Sequence, residues 1–486
     1  MLPQIDYRAI APELILAGTI MVVLVVDLFL RERRKHWSMT VSFVGVATAL
    51  GSTIPLFGRE GPAFGETYVV DPFAVLLKIF FLAMALGVLF LSQRYFREGR
   101  FYQGEYYFLL LTSFLGMLTM ASSRDLLMLF ISLELVSAPG FIIAGLRKRD
   151  PRSNEAALKF FLIGILAVAV MLYGMSLLYG VTGTIALEGI ARSLQQGAEP
   201  LAIAALLFVV VGFAFKISAV PFHFWAPDTY EGSPVPVAAY LSTASKAAGF
   251  AGLLQIMFVA FRPVADVWAP VFAVLSILTM TLGNLIAIQQ RQVVRLLAYS
   301  SIAQAGYMLL PFALVGLSPD LDQRAFGAAV LYILIYGATN LGAFGVVTSV
   351  SRESPGVLVE DFAALGQRAP GLSVAMTTFM ISLAGIPPTA GFIGKLFIFL
   401  VAISAWQAGS TIALVLAVAM VINSVISLYY YAAVVRQMFL VPIERPGRFR
   451  SPVLVTGVVA ASLVVVLAVG IFPDLFASFP PDATLP

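Results

Sequence analysis

The residues of this chain best able to do chemistry are five lysines and a glutamate inside long apolar runs. Lys78, Lys159, Lys216, Lys246 and Lys395 sit in segments otherwise built from Leu, Ile, Val, Phe, Ala and Gly, and Glu134 lies in LLMLFISLELVSAPG. A charge in hydrocarbon costs roughly 3 kcal/mol on insertion scales, so such groups normally line a bundle interior or a wet cavity. The chemistry to expect is movement of protons or ions. Lysine suits proton storage because, unlike arginine, it can give up its proton when buried.

Position strengthens that reading. Glu134 lies nine residues after Asp125 and thirteen before Arg147, roughly 13 and 20 Å along a helix, which is mid-membrane. Lys216 stands five residues before Pro221 at similar depth, and a Glu134–Lys216 pair at about 4 Å would attract by roughly 4 kcal/mol at an effective dielectric near 20. Lys246 lies fifteen residues beyond Glu231, roughly 22 Å from that edge. Lys159 is shallower, four residues after Glu155 on the same helical face. Lys395 follows the Pro387–Pro388 pair, and His223 follows Pro221 with an ordinary pKa of about 6.5 that suits a relay. Ser242, Thr243, Ser245, Tyr299, Ser300, Ser301, Gln304 and Tyr307 add hydrogen-bonding groups between them. Each candidate has a structural alternative: Glu134 and Lys216 as an ion pair fixing helix register, Lys159 and Lys78 as snorkelling side chains, Lys246 and Lys395 as lysines that only make helix contacts, His223 as a cap for carbonyls freed by proline.

The elements that must position these groups are membrane helices. Of 486 residues 60% are hydrophobic and 12% charged, with a mean hydropathy of +0.94, against about 25% charged in a soluble domain. Fourteen apolar runs are candidate spans against the roughly 20 residues a bilayer needs, near 10–30, 38–57, 71–92, 106–121, 124–146, 155–180, 201–224, 234–261, 267–289, 296–316, 325–350, 372–402, 410–435 and 452–474, the fourth short and the twelfth long. The fold class is all-α and polytopic, with the first run read as a span and not a removable signal.

Nineteen of the 30 basic residues fall in alternate loops: Arg31, Arg33, Arg34 and Lys35; Arg94, Arg97 and Arg100; Arg147, Lys148, Arg149 and Arg152; Arg291 and Arg295; Arg352 and Arg368; Arg436, Arg445, Arg448 and Arg450. By the positive-inside rule these loops are cytoplasmic and both termini face outward. The net charge of +4 is dispersed in these clusters, so no nucleic-acid partner is expected. With no cysteine and two histidines, His36 and His223, cysteine-ligated clusters and a two-histidine metal site are not expected.

Spans 7 and 12 are interrupted, by GFAFKISAVPFHFWAPD (212–228) and SLAGIPPTAGFIGKL (382–396). Proline and glycine at that depth free backbone groups that must be buried in protein or line a cavity. Spans 4–8 and 9–13 then form two five-helix units, each broken at its fourth helix, and an odd helix number inverts the second relative to the first, as in many transporters. Aligning Pro221 with Pro387 places Lys216 opposite Ser382 and Lys395 opposite Thr229. The segments are 1–105, an N-terminal three-helix segment; 106–261 and 267–435, the two repeats; and 436–486, a loop and helix 14. Residues 185–194 suit a short amphipathic helix on the outer surface.

LFISLELVSAPGFIIAGL (129–146), EAALKFFLIGIL (155–166), the stretch from Gly212 to Phe250, RLLAYSSIAQAGYML (295–309) and SLAGIPPTAGFIGKLFIF (382–399) closely resemble the antiporter-like membrane subunits of respiratory complex I. Among these the chain is most like the subunit N branch of NADH–quinone oxidoreductase. The resemblance implies a proton relay of Glu134, Lys159, Lys216, His223, Lys246 and Lys395, with Lys395 passing the proton outward. It also implies a subunit of an NADH:quinone oxidoreductase in a bacterial inner membrane, with no redox catalysis in this chain. FMN, iron–sulfur clusters and quinone are then expected in partner subunits, and the partners are other antiporter-like and small helical membrane subunits. At Gln304 some relatives of that branch carry histidine; Lys78 has no counterpart. A Mrp-type cation/proton antiporter subunit shares these motifs and is the second reading; a membrane scaffold with structural charges is the third.

Overall fold

The computed structural model describes residues 6–31, 34–65, 67–99, 103–197, 199–442 and 449–474. Arg33, Arg100, Arg445 and Arg448 of the topology clusters lie outside the described residues, as do both chain ends. Among the described residues, thirteen helices are long and apolar enough to cross a membrane. Gln103–Ser122 adds a fourteenth crossing, a full 20 residues where the sequence reads as a short run. In chain order the other crossings are Ala11–Phe29, His36–Leu56, Pro72–Arg97, Leu126–Ala144, Pro151–Thr182, Pro200–Ile217, Val235–Ala260, Arg262–Ala287, Val293–Leu314, Pro319–Val350, the broken pair Pro370–Ala384 and Ala390–Gln407, Thr411–Leu440 and Val453–Ile471. These are spans 1 to 14.

Helix ends obey local chemistry. Asp125 caps span 5 by accepting from the Met128 amide at 2.6 Å, and Gln292 caps span 10 by accepting from Arg295 at 2.7 Å. Span 6 begins with Asp150 as cap and Pro151 at the first helical position, then ends on Gly183 in the left-handed region. The amphipathic segment forms the helix Leu187–Gln195, burying Leu187, Ile190 and Leu194.

The two five-helix units share one register. Ahead of span 5, the Leu126 amide donates to the Ile185 carbonyl and Leu187 to Arg124; ahead of span 10, Val293 donates to Val357 and Val359 to Arg291. The caps Asp125 and Gln292 are 167 residues apart. So are Ser218 and Gly385, the left-handed residues that end the first halves of the broken spans, and so are Pro221 and Pro388, each preceded by a cis peptide bond. Pro221 therefore matches Pro388 and not Pro387. Proline spacing alone misplaced the alignment by one residue because the second break carries two adjacent prolines; in the corrected register Lys216 matches Leu383 and Asp228 matches Lys395.

Span 8 lies at the centre and is almost wholly buried, with span 10 and most of span 11 beside it. Spans 1, 2, 6, 13 and 14 turn apolar side chains outward, including Phe29, Leu166, Val425 and Val464, the surface a helix presents to lipid or to a neighbouring subunit.

Candidate functional site

Lys216 lies in the last turn of Pro200–Ile217, where a cation is favoured by the helix dipole. Its side chain is buried, and Nζ donates to Ser137 Oγ on span 5 at 3.0 Å. Span 8 fits closely over its stem: a Cβ at Gly249 would lie 2.9 Å from Lys216 Cγ. Glu134 is one turn before Ser137 on the same helix face, but no contact within 4.0 Å joins it to Lys216 among the described residues. Its Oε1 is buried without a hydrogen-bond partner. The direct pair expected from the sequence is thus replaced by a serine between the carboxylate's helix and the ammonium.

Lys246 follows a π-helical turn, Leu241–Ser245, in span 8. Its Nζ donates to the Ser301 carbonyl at 2.8 Å and to Ser301 Oγ on span 10. One turn further along span 10, the Gln304 amide donates to the Leu383 carbonyl at 3.0 Å and to the Tyr431 hydroxyl at 3.2 Å, while its oxygen accepts from Tyr332. Tyr431 also bonds Ser300. Lys395, at the start of the second half of span 12, reaches back across the break to the carbonyls of Leu383 at 3.1 Å and Ala384 at 3.0 Å, and to Ser424 Oγ at 3.0 Å; its Nζ lies 4.4 Å from the Tyr307 ring centre. Leu383 therefore accepts from both Gln304 and Lys395, linking span 10, whose Ser301 accepts from Lys246, to the helix that carries Lys395.

His223 sits buried in the first break, with Nδ1 lacking a partner. Nearby, Trp225 Nε1 donates to the Phe215 carbonyl at 3.0 Å. Lys159 is separate from the buried set: its side chain is 43% exposed, and it pairs with Glu155 at 2.7 Å and Asp228 at 2.7 Å. Arg295 joins the same cluster, at 2.6 Å from Asp228 and 2.9 Å from Glu231. Burial opposes charge on Asp228, but hydrogen bonds from Lys159 and Arg295 outweigh it and hold the carboxyl below its ordinary value.

Lys216 and Lys395 lie on the two broken spans, 7 and 12, and Lys246 on the buried span 8. A model of the transmembrane family described as "NADH:quinone oxidoreductase/Mrp antiporter" matches residues 123–427. The chain belongs to this family. NADH-quinone oxidoreductase subunit N 2 of Symbiobacterium thermophilum is 39% identical, over 98% of this chain and 96% of that protein, and subunit N of Trichlorobacter lovleyi is 38% identical over 98% and 95%. A chain of the respiratory complex I of Thermus thermophilus with bound aureothin superposes with a TM-score of 0.78 at 35% identity, covering 96% of this chain and 98% of that one. A chain of the Mrp complex from Dietzia sp. gives 0.84 at 21% identity over 99% of both, a likeness of fold.

Against this family frame, the structure adds groups that the sequence did not single out. Asp228, Tyr431 and Ser137 are ordinary polar residues by type, and their spacing from the lysines carries no periodic signal; the 167-residue register would have flagged Asp228 as the partner position of Lys395. Lys78, outside the matched segment, is fully buried and bonded to Glu13 Oε1 at 3.0 Å and to the Tyr68 hydroxyl at 2.5 Å, with the Tyr68 ring 4.7 Å away. Tyr68 itself donates to Glu13 at 2.8 Å. Glu13 was missed because it stands near a span end, where an acid needs no buried partner.

Proposed function

We propose that this chain is a proton-translocating membrane subunit of an NADH–quinone oxidoreductase, moving protons from the cytoplasm to the outside while electron transfer proceeds in other subunits. The observation that carries the reading is the set Lys216, Lys246 and Lys395. Each ammonium is buried on neutral oxygens, and among the described residues none has a carboxylate within 4.0 Å. A charge without a fixed counter-ion can be handed on without breaking an ion pair.

In this reading Lys159 takes protons at the arginine-rich face. Glu134 and Lys216, coupled through the Ser137 turn, bias Lys246, and Lys246 communicates with Lys395 through Ser301, Gln304 and the Leu383 carbonyl. His223, in the break beside Lys216, is a further relay group. Flavin, iron–sulfur and quinone chemistry belongs to partner subunits. The arginine-rich loops face the cytoplasm of a bacterial cell, with both termini outside the inner membrane.

The test is the reconstituted complex carrying Lys246→Ala. Loss of proton pumping is expected; normal pumping with normal quinone reduction would overturn the relay. The family model also spans Mrp antiporters, and sodium-dependent proton exchange in vesicles lacking NADH-linked partners would move the chain to that branch.

A further inference from the structure

Asp228 has no place in the relay above, yet it joins the two five-helix units. It lies on the short helix Trp225–Gly232, just past the first break. Lys159 Nζ, from span 6 of the first unit, donates to its Oδ2 at 2.7 Å; Arg295, from span 10 of the second, donates to its Oδ1 at 2.6 Å. The other groups around it are few. Span 6 also brings Glu155, held by Lys159, and span 10 brings Tyr299, whose ring lies 5.9 Å from the Arg295 guanidinium. Glu231 on the same short helix accepts from the same Arg295 Nη1 at 2.9 Å. Val235–Tyr240 of span 8 offers only Tyr240, whose hydroxyl is turned to the Val136 carbonyl, and span 5 carries the single carboxylate Glu134.

The two cations on Asp228 differ in kind. Arginine keeps its proton under all ordinary conditions, whereas lysine can exchange one. Asp228, itself in the first unit, is therefore anchored permanently to span 10 of the second, while its bond to Lys159 of span 6 needs a proton. We propose that Asp228 is a positioning residue for proton uptake, holding Lys159 at the mouth of the path and linking it to Arg295 of the second unit only while Lys159 is protonated.

The inference rests on the function proposed above. When the Lys159 ammonium passes its proton inward it becomes a neutral amine. Asp228 then keeps its charge on Arg295 alone, and the next proton from the cytoplasm restores the ammonium and the contact.

The experiment uses the whole complex in proteoliposomes, with assembly, NADH-linked quinone reduction and protons moved per NADH all measured. Asp228→Asn keeps the shape and removes the charge. It is expected to assemble and lower the proton yield about fivefold or more, the low end of ordinary coupling between sites, with Asp228→Glu restoring most of it. A side chain with only a structural role would lower assembly and leave the yield per NADH unchanged.

A parental yield in Asp228→Asn, or Asp228→Glu failing as fully as Asp228→Asn, would overturn the proposal. Should Asp228→Asn prevent assembly, Arg295→Gln removes the permanent anchor from the other side; a lowered yield supports the proposal and a parental yield overturns it. Lys246→Ala, run in parallel, separates the two levels. Normal pumping there removes the function itself, whereas lost pumping there with an unaffected Asp228→Asn removes only the role of Asp228.

Discussion

Asp228 and Lys395 occupy the same position in the two units, ten residues past the left-handed residues Ser218 and Gly385, and they carry opposite charge. One lies in an ion-pair cluster open to solvent, the other on buried carbonyls across its own break. The duplicated backbone thus presents a carboxylate at one break and an amine at the other.

Lys395 depends on the geometry of its break. Gly385 has φ of +86°, and a Cβ there would lie 2.7 Å from Lys395 Cδ. Gly385→Ala should cost roughly 1–2 kcal/mol for the backbone alone and displace the lysine as well. Proton pumping by the assembled complex should fall with it, and Lys395→Met should fall at least as far with no backbone change. Parental pumping in Lys395→Met would exclude the lysine from the path.

Ser137 is the acceptor for Lys216. Ser137→Ala removes a hydrogen bond to a charged group, about 1.5–3 kcal/mol, without altering helix packing. Pumping is expected to drop about tenfold or more on that scale, while the amount of assembled complex stays near parental. Unchanged pumping would show that Lys216 finds another acceptor in turnover.

The buried Lys78–Glu13 pair should behave as one unit. Removing either partner strands a buried charge, a loss of about 3–5 kcal/mol, whereas replacing both by apolar residues is often nearly neutral. Lys78→Met and Glu13→Leu should each reduce the thermal stability of the purified complex, and the double variant should recover most of the loss. Additive losses in the double variant would mean the two residues act separately.

Asp228 also predicts a pH dependence. Its carboxyl is held below the ordinary 3.8, so its ion pairs contribute stability above that value and lose it as pH falls through the lower folded value. The difference in thermal midpoint between parent and Asp228→Asn should be steady from about pH 8 to about pH 5 and should close below about pH 4. A difference that closes on the alkaline side would instead place the dependence on another group.

Much of this organisation was legible in the residues. The fourteen apolar runs, the two proline-interrupted spans, the surface helix near residue 190 and the burial of Lys216, Lys246 and Lys395 follow from hydrophobic length and the rarity of charge in such runs. Partners were less legible, because a hydrogen bond between distant helices leaves no mark on local spacing. Glu134 and Lys216 attract on paper, yet Ser137 takes the ammonium; Gln304 looked like a residue for ordering water, yet its amide is engaged by Leu383, Tyr431 and Tyr332. Lys159 reads as intramembrane from its flanking residues, but the short helix after the break brings Asp228 up to it at the surface.

The π-helical turn Leu241–Ser245 sets the rotational phase of everything after it in span 8. A π turn takes one residue more than an α turn, and one residue is about 100° around the axis. Deleting a single residue there would leave α-helix up to the second π turn, Ile256–Ala260, with similar length and hydrophobicity, but it would swing Lys246 about a quarter of a turn or more away from Ser301. The central lysine is therefore aimed by a count of residues, and substitution scans that preserve that count would leave this aiming device undetected.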